Sequence, residues 1–160
     1  MALPLTALQA NALQANVLQA NVFANDRPPR RTILLVEDEP FVREATRSIL
    51  ENAGFEVLRA GDAKDALILY EARKPSIDLI ITDMGLPGRS GLQLTQDLRE
   101  RSPELMVLLT SGYISPEYET KAAGLCAHFL AKPYSTRTLI DKVEQILAAI
   151  PLGHPATQAG

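Results

Sequence analysis

The sequence has a single cysteine, Cys126, among its 160 residues. An internal disulfide and metal clusters of the paired-cysteine type are therefore excluded, and such low cysteine usage is typical of a reducing cytoplasm. No apolar run approaches the roughly 18 residues that a membrane helix needs, and the amino terminus lacks the basic segment and apolar core of an export signal. These absences predict a cytoplasmic chain with no membrane partner, in which Cys126 is a buried structural thiol.

Clustered basic residues are equally scarce. The one dense run is Arg27-Pro28-Pro29-Arg30-Arg31, and the formal net charge of the chain is -3. A run this short is interpreted as the solvated edge of a linker, because nucleic-acid binding needs a longer basic stripe or patch. We therefore expect no direct contact with nucleic acid.

Motifs of nucleotide-binding enzymes and phosphatases are also missing. The sequence has no Gly-x-Gly-x-x-Gly, no phosphate loop ending in Lys-Ser/Thr and no Asp-x-Asp pair. Gly85, Gly88 and Gly91 form a glycine-rich loop, but that loop follows an aspartate and contains no lysine. These absences argue against an enzyme that binds a nucleotide or acts as a haloacid-type phosphatase.

The first 30 residues differ in kind from the rest of the chain. A five-residue pattern beginning Leu-Gln-Ala-Asn repeats from Leu8, Leu13 and Leu18. Because a period of five fits neither a helix nor a strand, we interpret residues 1–30 as a disordered extension closed by a stiff Pro28-Pro29 linker. A frayed or partner-stabilised helix is the alternative, since Ala, Leu and Gln favour helices. The predicted domain covers 31–150, and 151–160 is expected to be a flexible tail.

From Thr32 onward, apolar runs alternate with amphipathic segments. This pattern predicts an α/β fold with a doubly wound parallel sheet of five strands and five helices. The first helix should begin at Pro40 and turn Val42, Ala45, Ile49 and Leu50 toward the core. Strands are expected near 32–36, 56–60, 79–82, 105–110 and 129–131, and the later helices after Asp62, near 92–101, at 116–123 and after Ser135.

Charged residues follow three of these strands. Glu37-Asp38 comes after the first, Asp83 after the third, and Lys132-Pro133 after the fifth. Ligands of open α/β sheets bind beyond the carboxyl ends of the strands, so these side chains should converge. Such a cluster suits a hard divalent cation and a phosphoryl group. Alternatively, Glu37, Asp38 and Glu39 only cap the first helix, an explanation that does not extend to Asp83.

Together these motifs resemble the receiver domain of two-component response regulators over residues 32–150. The resemblance rests on Glu37-Asp38, Asp83, Ser111-Gly112 and Lys132-Pro133 in this order and spacing, and on the loop Leu86-Pro87-Gly88-x-Ser90-Gly91. It implies a flavodoxin-like sheet in the order 2-1-3-4-5 with helices on both faces.

The resemblance also implies roles for the site residues. Asp83 would be the phosphoacceptor, Asp38 and Asp83 would ligate Mg²⁺ directly, Glu37 would act mostly through water, and Gly85 would offer its carbonyl. Mn²⁺ would be an acceptable substitute for Mg²⁺. Lys132, held by a cis bond to Pro133, would bind a phosphoryl oxygen and pair with Asp83 before phosphorylation.

Ser111 is assigned as the switch hydroxyl from its spacing to Asp83 and Lys132 and from the small Gly112 after it, with Thr110 as the alternative. Phe129 occupies the position of an aromatic switch in the family, or is a buried structural side chain. Tyr113 is expected to affect the lifetime of the acyl phosphate. His128, a lone histidine in a predicted strand, is interpreted as structural or exposed.

The function implied is a phosphoacceptor rather than an enzyme, with only self-catalysed phosphorylation and dephosphorylation. Its donor would be a sensor histidine kinase or a histidine phosphotransfer protein, and its output partner would bind the face formed by 116–150. The resemblance also allows a phosphorylation-dependent dimer. The chain is interpreted as a stand-alone or detached receiver. The alternatives are the carboxyl-terminal receiver of a hybrid histidine kinase and a receiver-like binding module that is not phosphorylated.

Overall fold

The structure, a computed structural model, describes residues 30–151. The expectations for the repeat and the tail, residues 1–29 and 152–160, fall outside this range. Within it, no helix is both long and apolar enough to cross a bilayer.

Five strands alternate with five helices. In chain order they are β1 (Thr32–Val36), α1 (Pro40–Asn52), β2 (Glu56–Ala60), α2 (Ala63–Arg73), β3 (Ile77–Asp83), α3 (Gly91–Arg101), β4 (Met106–Ser111), α4 (Pro116–Gly124), β5 (His128–Ala131) and α5 (Thr136–Ala148). A short 3₁₀ turn, Lys74–Ser76, connects α2 to β3. The predicted elements are confirmed, with bounds that differ by one or two residues.

The strands form one parallel sheet in the order β2-β1-β3-β4-β5. Val36 lies beside Thr82, and Asp83 lies beside Thr110. Ser111 at the end of β4 lies beside Ala131 at the end of β5. The carboxyl ends of β1, β3, β4 and β5 therefore share one edge of the sheet, which confirms the predicted fold class and strand order.

Alternate residues of the central strands feed two separate cores. Leu34 and Val36 of β1 pack on one face with residues of α2, α3 and α4. Ile33 and Leu35 pack on the opposite face with residues of α1 and α5. Because both faces are covered by helices, the central strands are continuous apolar runs and leave polar groups to the strand ends.

The prediction for the buried face of α1 is wrong in part. Val42 is 37% exposed and Ala45 is exposed, whereas Thr46 and Leu50 are buried. The helix turns a stripe of Arg43, Thr46 and Leu50 toward the sheet, since these positions recur at helical spacing. The pattern of apolar residues predicts the wrong face of the helix in its first turns, because the inward position there is an arginine.

Two further expectations are corrected near the carboxyl-terminal half. Cys126 is exposed, not buried, and has a φ of 54° in the turn between α4 and β5. The last helix ends at Ala148, so Ile150 lies beyond it, although it still packs against the core that α5 covers. Two predicted helix caps, Asp62 and Ser135, are confirmed, since each side chain accepts a backbone N–H of the following turn. Ser90 caps α3 in the same way, although this cap is absent from the sequence-based prediction.

Candidate functional site

Three acids meet at the carboxyl edge of the sheet. Glu37 and Asp38 follow β1, Asp83 ends β3, and one carboxylate oxygen from each lies within 4.8 Å of the other two. Their exposure differs: Glu37 is buried, Asp83 is half-buried and Asp38 is exposed. The convergence expected from the sequence is therefore present, with the outermost acid open to solvent.

Glu37 is held at each of its polar groups. Its backbone N–H donates to the carbonyl of Ala60 at 3.1 Å, which ties the turn after β1 to the end of β2. Its side chain accepts the Glu39 N–H at 3.3 Å and the Lys132 ammonium at 2.9 Å. A carboxylate on a side chain only 7% exposed needs such partners, because burying an unpaired charge is costly.

Lys132 bridges two of the acids. Its Nζ lies 2.9 Å from Glu37 Oε2 and 3.2 Å from Asp83 Oδ2. Burial lowers the pKa of Lys132, but the hydrogen bond and charge of Glu37, together with Asp83, outweigh it and raise the pKa above its ordinary value. The ammonium is therefore charged at neutral pH, yet it can neutralise only one of three carboxylates. The bond from Lys132 to Pro133 is cis, as the resemblance implied.

Asp83 is oriented by the loop that follows it. The N–H of Gly85 donates to Asp83 Oδ1 at 3.0 Å, while Oδ2 faces Lys132. Gly91, the first residue of α3, also approaches Asp83 closely: a Cβ on Gly91 would lie 2.2 Å from the Asp83 carbonyl oxygen. A glycine at position 91 is therefore required by the close approach of α3 to the backbone of Asp83.

The two neighbouring hydroxyls of β4 have different surroundings. Ser111 Oγ donates to the Tyr113 carbonyl at 2.8 Å and accepts the Tyr113 N–H at 3.1 Å. Ser111 also lines a cavity of about 790 Å³, which Met84 and Gly85 of the Asp83 loop line too. Thr110 is 2% exposed and its hydroxyl faces the Thr82 carbonyl at 3.5 Å. This geometry supports Ser111 over Thr110 as the hydroxyl of the site.

The other residues singled out lie around this edge. Phe129 is half-buried and packs against the core beneath α2, α3 and α4. Tyr113 is 70% exposed, with its ring edge-on to Tyr118 of α4. His128 is half-buried in β5, where burial, followed by the charges of Lys142 and Arg99, lowers its pKa. None of these three is among the acids and lysine that form the cluster.

Two contacts of the cluster are absent from the sequence-based prediction. The closer partner of Lys132 is Glu37, 95 positions away, rather than Asp83. Arg43 donates to the backbone carbonyl of Glu37 at 2.7 Å. No sequence motif predicts either contact. The seven-residue spacing between Arg43 and Leu50 is a signal that could have assigned the arginine to the inner face of α1.

An acidic cluster with one lysine at the carboxyl edge of a doubly wound sheet defines a class of α/β domain, one suited to a divalent cation and a phosphoryl group. Within this class the family is specific. Residues 33–144 match the model of the response regulator receiver domain, and the chain belongs to this family. It is a receiver domain of two-component response regulators, a signalling domain rather than a classical enzyme. Receiver domains bind Mg²⁺ at an acidic pocket.

Curated relatives agree in sequence over the same region. The sensor kinase CckA of Brucella abortus is 30% identical over 125 residues, which are 78% of this chain and 13% of the kinase. The phosphate regulon regulatory protein PhoB of Pseudomonas aeruginosa is 34% identical over 122 residues, 73% of this chain and 52% of PhoB. The chain thus spans about half or less of the length of these relatives.

Solved structures agree in fold and in size. The chemotaxis protein CheY4 of Vibrio cholerae has a TM-score of 0.69 at 27% identity, covering 73% of this chain and 98% of that one. The receiver domain from the hybrid histidine kinase CckA has a TM-score of 0.61 at 38% identity, covering 72% and 98%. The strand order and the parallel sheet of this chain are therefore those of known receiver domains.

Proposed function

We propose that this chain accepts a phosphoryl group on Asp83 from a phosphohistidine of a sensor histidine kinase or a histidine phosphotransfer protein. The observation that carries the proposal is the arrangement around Asp83, where Lys132 lies 3.2 Å from Oδ2 and two further acids lie within 4.8 Å. A carboxylate can act as a nucleophile toward phosphorus when nearby positive charge offsets the charge of the phosphoryl oxygens.

The acids fit a magnesium ion. All three side chains offer oxygen, which Mg²⁺ prefers, and Asp38 is open to water, which Mg²⁺ retains. Lys132 lies within salt-bridge distance of Glu37 and Asp83, whereas Asp38 has no cation at that distance among residues 30–151. Asp38, Asp83 and the Gly85 carbonyl would hold the metal directly, and Glu37 through water. When bound, Mg²⁺ or Mn²⁺ supplies positive charge for the phosphoryl oxygens.

The chain's own residues would orient the transfer. The Gly85 N–H fixes one oxygen of Asp83, so that the carboxylate presents a defined face to the donor. A carboxylate oxygen of Asp83 forms the bond to phosphorus as the phosphorus–nitrogen bond of phosphohistidine breaks. The departing imidazole keeps the electron pair of that bond and takes a proton from solvent. Lys132 then moves from the carboxylates to a phosphoryl oxygen.

The output of this step would be a changed surface on α4, β5 and α5. Ser111 Oγ is bound to both backbone groups of Tyr113, so turning toward a phosphoryl group would break these bonds and draw the loop before α4 inward. Helix α4 is weakly anchored, since Ala122 is its one buried residue. Phe129 would report the change by packing, because it has no hydroxyl.

The similarity to the receiver of the hybrid histidine kinase CckA supports a receiver within a hybrid kinase. The similarity to CheY4, 98% of which is covered, supports a stand-alone receiver. A phosphorylation-dependent dimer would use the same output face. Each arrangement has the same chemistry at Asp83, and self-catalysed phosphorylation and dephosphorylation are the only reactions proposed.

Intact mass measurement tests the phosphoacceptor directly. The full chain is incubated with Mg²⁺ and acetyl phosphate, and we expect a gain of one phosphoryl group. Asp83→Asn and removal of Mg²⁺ should each abolish the gain, whereas Asp141→Asn, an exposed acid of α5, should retain it. Phosphorylation of Asp83→Asn, or a wild type that never gains mass, would contradict the proposal.

Hydrogen exchange tests the proposed output surface. With phosphorylated protein we expect altered amide exchange over residues 111–131, because the Ser111 contacts and the packing of Phe129 would change. Unchanged exchange across these residues would favour a passive phosphate carrier over a conformational switch.

A further inference from the structure

Arg43 makes one polar contact that links α1 to the acidic turn. Its Nη1 donates to the backbone carbonyl of Glu37 at 2.7 Å. That carbonyl belongs to the peptide joining Glu37 to Asp38, so the contact acts on the backbone from which both acids project. The guanidinium also lies beside the turn after β2, because a Cβ at Gly61 would be 3.4 Å from Nη1.

The position of Arg43 on its helix is unusual for a charged residue. It lies on the stripe that contains Thr46 and Leu50, which are buried, while the apolar Phe41 and Val42 are exposed at 86% and 37%. An arginine on an inward stripe must satisfy its donors there, and the Glu37 carbonyl is the acceptor it reaches. The helix therefore places this guanidinium against the turn after β1, while the neighbouring Phe41 and Val42 are exposed.

Ion pairing does not account for Arg43. Over residues 30–151, no carboxylate lies within salt-bridge distance of its guanidinium, whereas Arg47, one turn later, pairs with Glu44 at 2.8 Å and Glu51 at 2.6 Å. The same residue type on the same helix is thus used in two ways. Arg47 stabilises the helix surface, and Arg43 binds a main-chain group of the site.

The consequence is a turn held from both sides. The Glu37 N–H is bound by Ala60, and the Glu37 carbonyl is bound by Arg43. Because the backbone N–H and the backbone carbonyl of Glu37 are both hydrogen-bonded, the peptide between Glu37 and Asp38 has little freedom to rotate. This peptide sets the direction in which the Asp38 side chain projects. Asp38 is exposed, and within residues 30–151 its side chain makes no hydrogen bond or salt bridge.

We propose that Arg43 is a positioning residue for the cation-binding acids, acting through the Glu37 carbonyl to hold Asp38 in its binding orientation. This inference rests on the proposed function of the acidic cluster. It adds a residue of α1 that touches neither metal nor phosphoryl group. Loss of the contact should weaken Mg²⁺ binding because a mobile turn must be ordered again each time the ion binds.

Calorimetric titration of Mg²⁺ into the full chain tests the inference. Arg43→Met should raise the dissociation constant about tenfold, the scale of outer-shell effects on metal affinity. Arg43→Lys, which keeps a cationic donor, should recover most of the affinity. Arg47→Met is the matched control and should stay within about twofold of wild type, since Arg47 contacts only helix carboxylates. The amide resonance of Asp38 should shift in Arg43→Met before any metal is added.

The outcomes separate this inference from the function beneath it. Wild-type protein that binds no Mg²⁺, or Asp38→Asn that binds it unchanged, contradicts the metal site itself. Tight binding by folded Arg43→Met, or equal weakening by Arg47→Met, overturns the positioning role alone. If Arg43→Met does not fold in a thermal melt, the same criterion applies to Arg43→Gln, whose shorter amide cannot reach the carbonyl.

Discussion

Lys132 shows how one side chain can serve both stability and function. Its side chain is 24% exposed, and the ammonium lies between the side chains of Glu37, 7% exposed, and Asp83, 17% exposed. Before any phosphoryl group arrives, the lysine compensates a buried carboxylate, and removing it would leave Glu37 without its cation. The residue at the end of β5 is therefore part of what makes a buried acid tolerable at the end of β1.

The raised pKa of Lys132 predicts a stability change at alkaline pH. Because the folded state holds this proton more tightly than the unfolded chain, the contribution is fully present below the ordinary pKa of 10.5 and is lost as pH rises through the higher folded value. We expect the difference in unfolding free energy between wild type and Lys132→Met to be constant near neutral pH and to shrink as the pH rises above 10.5. Urea unfolding followed by circular dichroism measures it.

Lys64→Met is the control for this pH dependence, since Lys64 is exposed on α2. Its difference from wild type should stay flat over the same range. A flat difference for Lys132→Met would show that its ion pairs contribute nothing to folding.

The connection between β3 and α3 places an element and a reactive side chain together. Helix α3 begins at Gly91 with a capping box in which Ser90 and Gln93 exchange hydrogen bonds. The start of the helix packs directly on the backbone of Asp83, with the Gly91 N–H bound to the Met84 carbonyl at 3.2 Å. The orientation of Asp83 thus depends on a helix that supplies no side chain to the acidic cluster.

Gly91→Ala should destabilise the protein by about 1–3 kcal/mol, the usual range for overpacking. The added Cβ would meet the Asp83 carbonyl oxygen at 2.2 Å and the Met84 Cα at 3.0 Å, and neither backbone atom can move without shifting the end of β3. Urea unfolding gives the stability, and the rate of phosphorylation by acetyl phosphate reports the displacement of Asp83.

Gly124→Ala provides the comparison, because nothing lies within 4 Å of a Cβ at this last residue of α4. That change should be neutral or stabilise by up to about 1 kcal/mol, as alanine favours a helix over glycine. Equal stabilities for the two variants would mean that the contact at Gly91 is relieved without cost.

Helix boundaries were more predictable than helix phase. Caps and prolines are local signals, so the caps Asp62 and Ser135 could be identified from the sequence alone. The inward stripe of α1 could not, because Val42 and Ala45 supply apolar area at the wrong angle. The rotation of the helix about its axis depends on tertiary contacts. In the folded chain Thr46 and Leu50 are buried, and Arg43 binds the Glu37 carbonyl of the neighbouring turn.

At the scale of the whole molecule, one arginine connects the segment before β1 to the segment after α5. Arg31, just before β1, donates to Asp78 at 2.9 Å and to the Ile150 carbonyl at 2.6 Å. Asp78 in turn accepts the N–H of Thr32 at 2.8 Å. This Arg31 clasp joins the starts of β1 and β3 to the chain after α5, at the edge of the sheet opposite the acids.

Arg31→Met should lower the free energy of unfolding by about 1–3 kcal/mol, since it removes two charge-assisted hydrogen bonds and leaves a partly buried carboxylate without its cation. Arg137→Met is the matched control: its side chain is 90% exposed and 3.7 Å from Asp141, and the expected change is below about 0.5 kcal/mol. Thermal and urea unfolding of both variants measure the difference, and equal losses would refute a role for the clasp.

The sequence by itself determined the architecture and the members of the site. Apolar runs, turn residues and caps are local signals. In a parallel sheet the carboxyl ends of the strands share one edge, so the sequence alone predicts that Glu37, Asp38, Asp83 and Lys132 lie together. Tertiary structure decided which partners these residues have. The pairing of Lys132 with Glu37, the exposure of Cys126 and the inward turn of Arg43 depend on distances between elements far apart in the chain, and a linear pattern does not contain those distances.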